Sequence, residues 1–267
     1  MKFALIHDDK VEATKGAKGF CPSCDSELIA RCGEVNVNHW AHKGNRNCDP
    51  WWENETEWHR SWKGKFPIEW QEVVQFDDSG EKHIADVKTQ SGCVLEFQHS
   101  YLNPEERRSR NAFYPKLIWV VDGLRRKTDK PRFLKMLKEE IDAINGRSMI
   151  IQAQYPDEIR LLNEWHNSNS LVFFDFQVSN NAKQSILWLL FPKTSSGKAF
   201  LSPLPRAELI ESLNKNNFDD LINNLFISFR RALAKDQQDR LAVYSHPNRL
   251  PGFERYMANK RRRRRRF

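Results

Sequence analysis

The sequence predicts a mixed α/β fold preceded by a small cysteine- and histidine-rich module, and three observations carry that expectation. Short segments such as 83–89 and 93–99, bounded by turn residues, carry polar residues two apart, Asp86 with Lys88 and Glu96 with Gln98, as strand faces do. Apolar residues recur at intervals close to three and four over 51–66, and Pro104 opens a charged segment, as helices require. Residues 21–50 hold too few apolar side chains to fold without a staple. The expected organisation is a module over 1–50, a core over 51–125, an α/β extension over 126–255 and a basic tail over 256–267.

A chain of 267 residues with 39% hydrophobic and 12% aromatic residues can build a packed core despite 29% charged residues. That balance excludes a wholly disordered chain. No apolar run approaches the roughly 18–20 residues needed to span a bilayer, so no membrane partner is expected. The opening MKFALIHDDK reaches two aspartates before any long apolar region, unlike a signal peptide. Five cysteines at metal-like spacing point to a reducing, cytoplasmic setting. The net charge is +8, but Lys260 and Arg261 to Arg266 carry seven of those charges, so the body is nearly neutral. Such a tail binds phosphate backbones without sequence preference, or only solubilises the chain.

Taken in order, Phe3 to Ile6 and the residues from Val11 form a strand pair turned at Asp8-Asp9. The segment 51–66 is a helix carrying Trp51, Trp52, Trp58, Trp62 and Phe66. Strands follow near 68–76 and 83–89, joined by Asp77-Asp78-Ser79-Gly80, and a third runs from Cys93 to His99 after Ser91-Gly92. A helix spans 104–113, and Leu117 to Val121 is a buried strand by its continuous apolar run. Beyond it, helices are expected over 133–144, 205–213 and 218–233, and strands over 149–155, 171–176 and 185–191.

Cys21-Pro22-Ser23-Cys24 is a CxxC, and His39-Trp40-Ala41-His42 is an HxxH. Two thiolates and two imidazoles satisfy tetrahedral zinc, and a CxxC turn presents both sulfurs together. Cys48 can replace either histidine, and Cys32 is in range as well. A structural Zn2+ is expected on Cys21, Cys24, His39 and His42, because four protein ligands leave no open position for chemistry.

Strand residues two apart share a face, so Glu96 and Gln98 point together while Leu95 and Phe97 face a core. A hairpin turned at Gln90-Ser91-Gly92 sets Asp86 near Glu96. Two neighbouring carboxylates repel unless a cation lies between them, and Mg2+ takes such oxygen ligands. Glu55, His59 and Lys63 are spaced to line one helix face, with Glu57 as a further acid. A solvated salt-bridge stripe gives the same spacing.

The order of these motifs is itself informative. A Cys/His module with HxxH, then E-x3-H-x3-K, then Ala85-Asp86-Val87, then Glu96-x-Gln98 resembles the competence protein CoiA-like family over roughly residues 1–122. The resemblance implies a nuclease-like domain of the PD-(D/E)XK superfamily, a restriction-endonuclease-like mixed sheet flanked by helices. It implies Asp86 and Glu96 as ligands of Mg2+ or Mn2+, and Glu55 as the acid of the first helix. Arg107, Arg110 and Tyr114 match the helix after the active strand, near phosphates or bracing the sheet. The superfamily motif ends in lysine, whereas this chain has Gln98. Glutamine orients water but cannot neutralise charge. Lys88, Lys63 or His59 can supply what Gln98 lacks.

The expected function is hydrolysis of DNA phosphodiester bonds, single-stranded DNA included, in DNA uptake, recombination or defence. The expected catalytic set is Glu55, His59, Lys63, Asp86, Glu96 and Gln98. A non-catalytic DNA-binding accessory with a degenerate core is the competing expectation, and a zinc-stapled interaction protein the third.

Overall fold

The computed structural model describes residues 1–34, 37–44, 48–51, 55–144, 150–177, 185–192 and 197–245. Trp52 and the expected basic tail lie outside them. The chain divides into two compact units, with the break between Asp219 and Asp220.

The first unit opens with a five-stranded antiparallel sheet of β1 (Phe3–Ile6), β2 (Asp9–Glu12), β3 (Lys18–Phe20), β4 (Glu27–Arg31) and β5 (His39–His42), in the order β2-β1-β3-β4-β5. The β1–β2 turn falls on His7 and Asp8, both at positive φ, one residue earlier than the expected Asp8-Asp9. That backbone is what a two-residue hairpin needs. Gly19 is required where it stands, since a Cβ there would lie 2.8 Å from the Ala4 Cβ. Ala4, Cys21, Leu28 and Trp40 form a small buried core, and the Trp40 indole N–H donates to the Val11 carbonyl at 2.8 Å.

The larger sheet has eight strands: β6 (Gln71–Phe76), β7 (Lys82–Lys88), β8 (Val94–Gln98), β9 (Leu117–Asp122), β10 (Ile151–Ala153), β11 (Leu171–Asp175), β12 (Ile186–Leu190) and β13 (Ala199–Pro205). Their order is β10-β13-β12-β11-β9-β8-β7-β6. The β8–β9 and β9–β11 pairs are parallel and the others antiparallel, so the sheet is mixed as expected. Helices are α1 (Glu57–Lys63), α2 (Pro104–Phe113), α3 (Asp129–Ile144), α4 (Arg160–Trp165), α5 (Arg206–Asn214) and α6 (Phe218–Ser245). A parallel pair needs a crossover, and α2 supplies it between β8 and β9. Every residue of β9 is buried, which explains its continuous apolar run.

Several boundaries differ from expectation for identifiable reasons. The helix expected over 51–66 begins only at Glu57, because Thr56 caps it. Thr56 Oγ1 accepts the His59 N–H and the Thr56 N–H donates to His59 Nδ1, so the two orphan donors are satisfied reciprocally. The strand expected from 68 starts at Gln71 after one 3-10 turn over Ile68–Trp70. β13 and α4 were not legible. Pro203 and Pro205 argue against a strand, yet both lie beyond the three-residue pairing with β10, where no ladder partner is lost. In the second unit α6 continues to Ser245, twelve residues past its expected end at 233. Among the described residues no helix is long and apolar enough to cross a membrane.

Candidate functional site

The register of three strands builds the site. Val87 pairs with Leu95 and Lys88 with Val94, so one further step sets Asp86 across from Glu96. Gln71 pairs with Val87 and Val73 with Ala85, which sets Glu72 across from Asp86 on the other side. Glu72, Asp86 and Glu96 therefore form a row across β6, β7 and β8, at strand spacings of about 4.8 Å. The Phe97 N–H donates to Asp86 Oδ2 at 2.9 Å, and the Asp86 N–H reaches toward Glu96 Oε1 at 3.4 Å.

Each end of the row meets a buried cation. Lys63 Nζ, at the end of α1, lies 2.9 Å from Asp86 Oδ1, 3.1 Å from Glu72 Oε1 and 3.1 Å from Glu55 Oε2. Burial works against the ammonium, but Asp86, Glu55 and Glu72 outweigh it and hold its pKa well above the usual lysine range. Arg110 Nη1 lies 2.8 Å from Glu96 Oε2. Burial, reinforced by the charge of Asp86, pushes the Glu96 carboxyl up to about 8 despite Arg110. Burial also opposes charge on Glu72, yet Lys63 and the N–H groups of Lys2 and Phe3 bring it down to about 2. Those two N–H groups lie 2.7 and 3.0 Å from its oxygens.

These groups open into a cleft of about 820 Å3, solvent-filled mouth included, whose lining also includes Trp40, Ala41, His42 and Cys48 of the small module. Five carboxylates line it, from Asp49, Glu55, Glu72, Asp86 and Glu96, against the two side-chain cations Lys63 and Arg110. Glu55 Oε1 is buried without a hydrogen-bond partner. It faces Arg60 Nε at 4.0 Å, and its other oxygen meets the Lys63 ammonium that Asp86 shares. The carboxylate-rich lining of the cleft fits a hard cation that takes oxygen ligands.

Other expected residues are placed differently. Glu55 precedes α1 rather than lying on it, and reaches Lys63 from an extended segment. His59 lines the cleft, but its Nε2 lies 3.0 Å from the Phe97 carbonyl and its Nδ1 is engaged by Thr56. It pins α1 to β8. Gln98 is buried and its amide nitrogen donates to the Ser100 carbonyl and hydroxyl, each at 3.3 Å. Gln98 is not among the residues lining the cleft. Lys88 turns away to the Gln75 side chain. Of the lysines that could stand in for the missing one, Lys63 is the one at the acids. Glu57 is exposed. Arg107 bonds the Glu164 carbonyl and lies over the Trp165 ring, bracing the sheet, and Tyr114 is buried against Trp51 and Phe113. Cys93 is buried, and His99 pairs with Asp122 at 2.8 Å.

The second cluster joins Cys21, Cys24, His42 and Cys48, whose ligand atoms all lie within 4.8 Å of one another. Cys21 Sγ is 3.4 Å from Cys48 Sγ, and Cys24 Sγ is 3.3 Å from His42 Nε2. Burial pushes the Cys21 thiol up to about 12. Burial acts the same way on Cys24, but hydrogen bonds from Ser26 and His42 outweigh it and bring that thiol to about 6. Three sulfurs and one imidazole nitrogen in this arrangement fit tetrahedral zinc. The expected ligand His39 is not in the set, and Cys48 takes its place. The reason is local: HWAH is strand β5, and residues three apart in a strand face opposite sides. His42 shares the face of buried Trp40, while His39 turns its Nδ1 to the Val37 carbonyl at 2.9 Å.

Sequence reasoning missed Glu72 and Asp49. Asp49 Oδ1 lies 2.9 Å from His83 Nδ1, and its Oδ2 accepts the Ile84 N–H at 2.8 Å. Its position directly after Cys48 was the one available signal.

No curated protein and no solved structure matches the chain. Residues 5–50, which span β2 to β5, the second half of β1 and all four residues of the cysteine cluster, match the family model of the competence protein CoiA N-terminal domain.

Proposed function

We propose that the chain is a divalent-metal-dependent nuclease of the PD-(D/E)XK type acting on DNA, with Mg2+ or Mn2+ held by Asp86 and Glu96. The observation that carries this reading is the contact of Lys63 Nζ with Asp86 Oδ1 at 2.9 Å. It supplies, from α1, the positive charge that Gln98 does not supply from β8. The match of residues 5–50 to a competence-protein domain supports DNA as the substrate class.

The bound ion would polarise a phosphoryl oxygen and lower the pKa of a ligated water. The chain's own part is to orient and to balance charge. Asp86, fixed by the Phe97 N–H, and Glu96, fixed by Arg110, present oxygens from neighbouring strands toward one cleft. Lys63 places a buried ammonium where negative charge develops on the phosphoryl group. His59 holds the β8 backbone in place through the Phe97 carbonyl. Zn2+ on Cys21, Cys24, His42 and Cys48 would serve structure alone, since no position is left open.

Incubation with linear, circular and single-stranded DNA in Mg2+ or Mn2+ tests the reading. Cleavage that disappears in Asp86→Ala and Glu96→Gln supports it, and cleavage unaffected by Asp86→Ala overturns it. A second reading, a non-catalytic DNA-binding accessory, is favoured by one observation. Asp86 and Glu96 are already paired with Lys63 and Arg110, and Gln98 is turned to Ser100. DNA binding without cleavage in any metal would select it.

A further inference from the structure

The cysteine cluster and the carboxylate row are joined by a continuous set of contacts. From the Cys21–Cys24 turn, the Ser23 carbonyl accepts from Lys82 Nζ at the start of β7. From the other half of the cluster, Asp49 follows Cys48 by one peptide bond and binds the next two residues of β7, His83 at 2.9 Å and the Ile84 N–H at 2.8 Å. The Ile84 side chain packs against the small core that contains Cys21. Asp86 is two residues further along the strand.

A second branch reaches Glu96. Asp49 Oδ1 also accepts the Trp51 N–H at 2.9 Å. The Trp51 ring stacks on His83, with centroids 3.2 Å apart and planes 9° from parallel. The Trp51 carbonyl accepts from Arg110 Nη2 at 2.6 Å, and Arg110 Nη1 lies 2.8 Å from Glu96. One short segment, 48–51, thus touches a cysteine ligand, the Asp86 strand and the Glu96 arginine. We infer that Asp49 is a positioning residue through which metal occupancy of the cysteine cluster sets the affinity of the Asp86–Glu96 pair for a divalent ion.

The physical basis is ordering. A metal on Cys48 fixes the backbone one bond from the Asp49 carboxylate. That carboxylate then holds His83, Ile84 and Trp51, and through Trp51 the guanidinium beside Glu96. Without the metal, the chain around Cys48 regains its freedom, and the row must be ordered at the expense of the second ion's binding. Partners that orient metal ligands in this way are typically worth about tenfold or more in affinity. The inference rests on the metal-ion reading proposed above.

The experiment uses the full chain, with zinc content measured and Mn2+ as the probe. Mn2+ binding is followed by electron paramagnetic resonance, and amide exchange is followed over Ile84 to Val87. In Asp49→Asn, zinc stays bound while Mn2+ affinity falls about tenfold and exchange over Ile84 to Val87 speeds up. Stripping zinc from the unmodified chain has the same two effects. Stripping it from Asp49→Asn adds little, because both changes cut the same connection. Unchanged Mn2+ affinity and exchange in Asp49→Asn would overturn the inference, as would fully additive losses. Mn2+ binding that survives Asp86→Asn would instead overturn the metal-ion reading, and the exchange measurements alone would then decide the connection.

Discussion

Buried Lys63 and partly exposed Asp86 form an ion pair at 2.9 Å, made by the last residue of a seven-residue helix and the middle of a strand. The same ammonium serves Glu55 and Glu72, so one cation stands against three carboxylates. Replacing it by methionine keeps the length of the side chain and removes the charge. Cleavage is expected to fall by at least about 100-fold, the range for loss of a transition-state charge partner. Removing one partner of a buried ionic group also costs about 3–5 kcal/mol. Single-turnover cleavage and urea denaturation check the two effects separately.

The pH dependence of the metal-free protein follows from two acids shifted in opposite directions. Glu96 is raised to about 8 in the fold, so its protonated form is favoured there. Its contribution to stability is complete below the usual carboxylate pKa and is lost as pH rises through about 8. Glu72 is lowered to about 2, so its contribution is present above the usual pKa and is lost as pH falls through about 2. Between pH 5 and 8 stability is therefore expected to decline with rising pH, and Glu96→Gln should flatten that decline. Urea titrations across this range give the slope directly.

Zinc content separates the ligands. Cys24→Ser and Cys48→Ser are expected to lose bound zinc, whereas His39→Ala retains one ion per chain. Retention by Cys48→Ser together with loss by His39→Ala would restore the ligand set read from sequence spacing. Metal analysis of the purified variants suffices.

The cap of α1 is a fourth point of leverage. Thr56→Ala removes the hydroxyl that accepts the His59 N–H, at a typical cost of about 1 kcal/mol. Because Lys63 and His59 both sit on this short helix, the expected loss of cleavage exceeds what that stability change alone would bring. Thr56→Ser, which keeps the hydroxyl, should restore it. Activity measured well below the melting temperature separates positioning from unfolding.

The sequence made the hairpin legible because a strand has a period of two and Gly92, at positive φ, marks its turn. Once those are known, the Asp86–Glu96 juxtaposition follows. Glu72 was not legible. In QEVVQF nothing local separates it from an exposed strand acid, and what selects it is contact with residues 70 positions away. The histidine pair failed for a different reason. HxxH was read as a spacing without assigning its backbone, and a strand places its two ends on opposite faces. The length of α1 was misread because tryptophans at helical intervals extend past Thr56, whose capping role outweighs their periodicity. The sequence offers Lys63 as a stand-in for the missing lysine, but its three-way pairing depends on Glu72 and cannot be foreseen without it.

The cleft draws Trp40 and His42 from one sheet and Asp86 and Glu96 from the other. Its two walls therefore cannot be inherited separately. A recombination that grafted the cysteine-bearing segment onto another protein would carry the Cys/His cluster but no pocket. A core recombined without that segment would keep its acids but lose one wall of the cavity that gathers them. The small module is thus one wall of the cleft, and the two sheets are expected to have diverged in step, each constrained by the surface of the other.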